Sequence, residues 1–330
     1  MAPRNVTRED LSGAVRAALG ARRRLESVER LAGQTRIGAY RLGMDDGSTV
    51  VAYLWDASEN FWPPTQHDGD PADPFSPCPG LDVFETAHSR LASLGLRVPR
   101  IYLVDRDRRH YLADIAIVED FPGEDLQALF HRDPAAAAPT LARLREGMAA
   151  MRAYRASSPG KVAHIDAGGV SRWPTCEEAA LAFGLRCLAE AAGRDRRLAD
   201  TRDQLEELLR ERAAAIRPRA EYSVVHGELG LDNFLIDSGG YPVIIDVEDL
   251  MYFDVEWEHV HMQIRLKDGE WAQTVGVDGL DPDRMALYDL TQRLSLVAGP
   301  LRLLDSDYPE REFMQGIAEW NLNKAISQLP

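Results

Sequence analysis

Apolar positions recur with a strand-like period through much of the first 120 residues and with a helical period over most of the remainder. Thr7 precedes an apolar stripe of Leu11, Val15, Ala18 and Leu19 that stops at Gly20, and Asp10 three residues on makes an approximate capping box. Residues 28–31 and 39–42 read as strands around a turn from Gly33 to Gly38, and Thr49–Trp55 reads as a third strand after Asp45-Asp46-Gly47. Residues 60–80 carry too much Pro, Asp and Gly for a helix or a central strand. Phe61, Trp62 and Phe75 nevertheless favour an ordered insertion, since aromatic rings seek burial. A helix over 82–94 presents Val83, Ala87, Leu91 and Leu94, and strands follow over 98–104 and from Ile115. From Pro139 onward helices predominate: one with Leu141, Leu144, Met148 and Met151, then Cys176–Ala192, then residues 198–216. Helical spacing returns near the end with Leu287, Leu290, Leu294 and Leu303.

Residues 223–258 interrupt the helical part with chemistry. A short apolar run ends in His226-Gly227-Glu228, and a polar loop carries Asp232 and Asn233. Two more apolar runs flank Asp237-Ser238-Gly239-Gly240 and end at Asp246. Runs of that length about a Gly-Gly turn predict a hairpin, with the acid and amide side chains at strand ends. Phosphoryl transfer needs a carboxylate to take the acceptor's proton, and oxygen ligands to hold magnesium against the phosphates. The kinase catalytic loop spaces base and amide as H-x-D-x-x-x-x-N and puts a metal-binding Asp after the next strand. His226, Glu228, Asn233 and Asp246 keep that order.

HGELGLDN followed by IIDVED resembles the HGDxxxxN and IDWE signatures of the aminoglycoside phosphotransferase and choline kinase branch of the protein-kinase-like superfamily. The resemblance implies an α+β, bilobal protein-kinase-like fold: a β-rich N-lobe over 1–120 with an insertion near 60–80, and a mainly helical C-lobe over 121–330 that carries catalytic stretch 223–258. It implies Glu228 as general base, with His226 fixing the loop. Asn233 and Asp246 become the magnesium ligands, with Glu248 and Asp249 next in line. LAGQTRIGAYRL resembles the family's phosphate loop and offers Gly33, Thr35 and Arg36 to the nucleotide. VEDFPGEDL resembles the segment between lobes, so Glu119, Asp120 and Phe121 would read the base. Asp254 would buttress the catalytic loop.

Two positions depart from the pattern. The base is Glu228 where the family carries Asp, one methylene shorter. The third strand carries Tyr53 where kinases carry a phosphate-binding Lys. Arg36 is one candidate for the missing cation, and magnesium alone is another. Glu85, in the helix that normally supplies the lysine's partner, either reaches Tyr53 or Arg36 or merely complements the helix dipole.

The formal net charge of −15 over 330 residues excludes a phosphate-backbone binder, which needs clustered Lys and Arg. Cys78, Cys176 and Cys187 form no C-x-x-C pair, and His259 and His261, two apart on a helix, face different ways, so neither a zinc site nor a disulfide framework is expected. No apolar run is long enough for a membrane span, and the first residues lack a signal peptide's apolar centre, so the expected location is the cytoplasm. The function expected is ATP- or GTP-dependent phosphorylation of a hydroxyl on a small molecule, of the antibiotic-inactivating type. The rivals are a metabolic kinase and a kinase-like protein that binds nucleotide without turnover.

Overall fold

A computed structural model describes residues 6–266, 270, 276 and 279–330. The first five residues and most of 267–278, which the sequence reading included in its N-terminal and helical C-terminal segments, lie outside the described residues. The chain divides into two compact units. The first comprises Met1–Trp62, Pro79–Ala136 and Asp232–Glu248; the second comprises Pro63–Cys78, Ala137–Leu231 and Asp249–Pro330.

In the first unit α1 (Arg8–Leu19) starts at Thr7, which exchanges both hydrogen bonds of the capping box with Asp10. Five antiparallel strands follow: β1 (Leu25–Arg30), β2 (Gly38–Met44), β3 (Thr49–Trp55), β4 (Ile101–Asp105) and β5 (Asp114–Glu119), in the order β1-β2-β3-β5-β4. Leu11 and Val15 of α1 close one side of the sheet against Leu42, Leu54, Ile115 and Ile117. Helix α2 (Leu81–Ser93) buries Phe84, Ala87 and Leu91. β4 begins three residues later than the sequence pattern suggests. Pro99 lacks the N–H that a ladder requires, and Arg97 instead bridges to Val243.

Helices α3 (Leu126–Arg132) and α4 (Pro134–Ala153) follow the sheet. α4 starts before Pro139 and contains it, because Ala135–Ala138 are strong helix formers. The second unit adds β6 (Arg155–Ala156), β7 (Gly160–Lys161), α5 (Val162–Asp166), α6 (Cys176–Ala192), α7 (Arg196–Ala215) and β8 (Tyr222–Val225). The hairpin strands β9 (Phe234–Ile236) and β10 (Pro242–Ile244) pair antiparallel, as the Gly-Gly turn predicts. After them come β11 (Met251–Phe253), α8 (Val255–Arg265), α9 (Pro282–Leu303) and α10 (Arg311–Ile326).

Helix α9 packs against α6, α7, α8 and α10 and is the axis of the second unit. A small sheet ordered β6-β8-β11-β7 sits beside these helices. Its strands, two to four residues long, are too short to show a period in the sequence. The insertion is ordered: Phe75 stacks on Phe183 at 4.5 Å between centroids, and Asp73 pairs with Arg186 at 2.8 Å.

Candidate active site

In the second unit, β8 ends at Val225 and the chain turns through His226 and Gly227. Between Tyr222 and Leu231 every residue is buried except Glu228. Gly227 has φ 97°, and a Cβ there would come within 2.6 Å of the Asp249 carbonyl oxygen, so only glycine fits. The backbone N–H of His226 donates to the Glu258 carboxylate at 3.0 Å, and the indole of Trp257 donates to the Gly227 carbonyl at 2.9 Å. Helix α8 thus holds the loop that offers Glu228 to solvent. Asp254 caps this arrangement from below: buried itself, it accepts from Arg219 at 2.9 Å, from the Tyr288 hydroxyl at 2.5 Å and from Arg284.

Beside this loop lies a group absent from the sequence expectations. Lys161, 3% exposed, places its ammonium 2.9 Å from Asp249. Burial alone would lower its pKa; Asp249 outweighs that, with smaller contributions from Cys78 and Glu228, and leaves the ammonium above its ordinary value. The available signal was composition: Lys161 is one of three lysines in a chain whose basic residues are otherwise arginine. Asp249, a secondary metal-ligand candidate, gives one carboxylate oxygen to Lys161.

In the first unit the hairpin brings two predicted ligands to one end. Ile245 N–H donates to the Asn233 carbonyl at 3.0 Å, so Asn233 lies across from Ile245 and Asp246 follows at once. Asp246 is exposed and adopts φ 59°, one of two non-glycine residues with positive φ among those described. Such a conformation is costly for most side chains and recurs where function fixes a backbone. Glu248 is held from β3, whose Trp55 indole donates to its Oε1 at 2.7 Å. Asp246 and Glu248 line one pocket, and together with Asn233 they offer oxygen donors only. That suits magnesium, which takes one or two carboxylates and completes its shell with water and phosphate oxygens.

Tyr53 projects from β3 into the same region. Its ring meets Phe84 of α2 edge-on at 5.6 Å and Trp55 at 6.4 Å, while Trp55 lies 5.6 Å from Phe84. Burial first, then the charges of Asp246, Glu248 and Asp120, push the Tyr53 hydroxyl well above its ordinary pKa and keep it neutral. Glu85 does not reach Tyr53; it pairs with Arg106, as does Asp82. An aromatic block therefore stands where a lysine and glutamate would pair. Tyr53, Phe84, Asp246 and Glu248 line one pocket with Gln34, Ile37, His88, Val98, Pro99 and residues 244, 245 and 247.

The glycine loop is strapped down. Gly33 is exposed with φ 90°, Thr35 accepts the Phe61 N–H at 2.9 Å and the Trp62 indole N–H at 2.8 Å, and the Arg36 guanidinium lies 4.5 Å from the Trp62 ring centre. Of the expected base-reading residues, Glu119 accepts from Arg97 at 2.6 Å and Asp120 accepts two bonds from Arg41 at 2.7 and 3.1 Å. Phe121 lies under Arg97 at 5.2 Å. The two carboxylates are thus tied within the unit.

The model of the phosphotransferase enzyme family matches residues 83–288, more than half of the chain. No curated protein sequence matches it. Among solved structures, the apo form of a thermostable mutant of the aminoglycoside phosphotransferase APH(4)-Ia is similar with a TM-score of 0.62 at 17% identity, over 91% of this chain and 95% of that one. A further mutant of the same phosphotransferase, in a ternary complex with ADP and hygromycin B, gives 0.58 at 16% identity over 91% and 94%. The choline kinase LicA from Streptococcus pneumoniae gives 0.61 at 12% identity over 95% and 96%. At such identities the likeness is one of fold, and that fold is the protein-kinase-like one the catalytic stretch implied. With the family model running from within α2 through the whole catalytic stretch, the chain belongs to the phosphotransferase enzyme family.

Proposed function

We propose that the protein transfers the γ-phosphoryl group of ATP or GTP to an alcohol of a polyhydroxylated natural-product antibiotic. The observation that carries the reading is the hydrogen bond from Ile245 N–H to the Asn233 carbonyl, which sets Asn233 at the same end of the hairpin as the next residue, Asp246, itself in a left-handed conformation. The acceptor class draws support from the neighbour seen with ADP and hygromycin B. Glu228 accepts the proton of the acceptor hydroxyl as its oxygen bonds to the γ-phosphorus; the bond to the β–γ bridging oxygen breaks, and the nucleoside diphosphate leaves. His226 and the α8 carboxylate Glu258 hold the loop that presents Glu228. Asn233, Asp246 and Glu248 would hold magnesium, which when bound would neutralise phosphate charge. The Gly33–Arg36 loop covers the phosphates, and the backbone of residues 119–121 meets the nucleobase. Catalysis then rests on positioning and charge rather than on a covalent intermediate.

The test is nucleotide consumption against a panel of aminoglycosides, other hydroxylated antibiotics, choline and sugar alcohols, with ATP and GTP in turn. Acceptor-dependent turnover with an antibiotic supports the reading. Turnover confined to choline or a sugar alcohol replaces the acceptor class, and nucleotide binding without turnover on any acceptor removes the reaction.

A further inference from the structure

We infer that Tyr53 makes nucleotide entry conditional on the metal: the triphosphate is admitted only with magnesium, because the pocket that meets it offers a neutral hydroxyl and two carboxylates where a cation would stand. This rests on the nucleotide reading above and goes further by assigning an order and a residue that sets it. Among the described residues lining the pocket there is neither Lys nor Arg. The one lining imidazole, His88, has its Nε2 at 2.7 Å from the Pro99 carbonyl and is thereby turned to the backbone. Nor does α2 supply a cation to that wall: Phe84 occupies the position facing β3 and packs on both Tyr53 and Trp55. Arg36 of the glycine loop is seated over Trp62.

Against a polyanion, Asp246 and Glu248 are repulsive until a divalent ion lies between. Like charges a few ångströms apart in a partly desolvated pocket interact far more strongly than in bulk water. A lysine at position 53 would offset that repulsion by itself, whereas Tyr53 offers one hydrogen bond and no charge. Trp55, by holding Glu248 at 2.7 Å, keeps the second carboxylate facing the pocket before any ligand arrives.

The experiment is calorimetric titration of the full-length protein with ATP and with GTP, in excess magnesium and in EDTA; it needs no acceptor. The expected result is nucleotide binding in magnesium and affinity at least about 100-fold weaker in EDTA. Tyr53→Lys should bring the EDTA affinity within roughly tenfold of the magnesium value. Tyr53→Phe, which keeps the aromatic block and the fold, should retain the full metal dependence. Equal affinity of the wild type in magnesium and EDTA overturns the inference while leaving the nucleotide reading intact. If Arg36→Ala then abolishes the binding in EDTA, the missing cation is Arg36. Absence of binding for both nucleotides even with magnesium overturns the nucleotide reading, and this inference with it.

Discussion

Lys161 and Asp249 form an asymmetric ion pair: the ammonium is 3% exposed and the carboxylate 51%, at 2.9 Å. Removing either member therefore has different consequences. Asp249→Ala strands a buried charge, which typically costs a few kcal/mol. Lys161→Met removes the buried charge and leaves a carboxylate that water can solvate, so its stability should change by less than about 1–2 kcal/mol. Thermal melts of the two variants should separate accordingly. Because Glu228 also feels the Lys161 charge, Lys161→Met should move the acid limb of the kcat profile to higher pH. An unmoved limb, with activity otherwise normal, would leave the pair as a purely structural contact.

Asp246 supplies a test in which backbone and chemistry separate. Its φ of 59° suits Asn as well as any non-glycine residue. Asp246→Asn should keep the melting temperature within a degree or two. Magnesium-dependent transfer should fall by at least about 100-fold, since a charged ligand is lost where charge must be neutralised. Asp246→Val should instead lose roughly 1–2 kcal/mol of stability, because a β-branched side chain is strained at positive φ. Near-normal turnover in the Asn variant would remove Asp246 from the metal site.

These two positions also mark what the sequence made legible. Asp246 stood in a motif whose residues are neighbours in the chain, so order and spacing sufficed to find it. So did the Thr49–Trp55 strand, the Cys176–Ala192 helix and the Gly-Gly hairpin, each set by local periodicity or turn chemistry. Lys161 was not legible, because its partner is 88 residues away and buried pairing leaves no periodic trace. Nor was the Trp55 bond to Glu248, which spans 193 residues. The partner of Glu85 was hidden for a related reason. The sequence placed Glu85 correctly on α2, but its partner is decided by which face Phe84 turns toward β3, and that is a matter of packing.

Glu258 carries the pH dependence. Burial raises its pKa from 4.5 to about 7, and the hydrogen bond from His226 N–H opposes that only in part. A carboxyl raised on folding contributes stability that is fully present below its unfolded pKa and is lost as pH rises through the folded value. The window is therefore about pH 4.5 to 7, and the full loss is on the order of 3 kcal/mol. Glu258→Gln keeps an acceptor for His226 without ionising. The variant should match the wild type near pH 4.5, gain on it as pH rises, and hold a constant advantage above pH 8. Melts across that range check this; a difference that does not change with pH would mean Glu258 titrates normally. His259 and His261 on the same helix, lowered by burial to about 4 and 3, stay neutral in the folded protein across this window. Their stabilising contribution is present above the unfolded value of 6.5 and is lost as pH falls below it; it cancels in the comparison of Glu258→Gln with the wild type because both proteins carry it.

Glu228 decides whether the site is adapted or weakened. A general base must come within about 2.6–3.2 Å of the hydroxyl it serves, or act through one water. Glu and Asp differ little in intrinsic acidity, so the exchange of the family's Asp for Glu alters reach rather than proton affinity. The loop around Glu228 is tightly held: Gly227 has no room for a Cβ beside Asp249, and both His226 and Gly227 are bonded to α8. A loop fixed on both sides cannot advance to serve a shorter arm. Glu228→Asp should therefore lose rate by about tenfold or more, and Glu228→Gln by at least about 100-fold, in line with general-base contributions. The fold should be unaffected in both, since the side chain is exposed. The measurement is kcat for the three proteins with magnesium, nucleotide and an acceptor drawn from the panel. A gain in rate for Glu228→Asp would mean that the longer arm is a defect and not an adaptation. An active wild type indifferent to Glu228→Gln would take the proton-accepting role away from this residue.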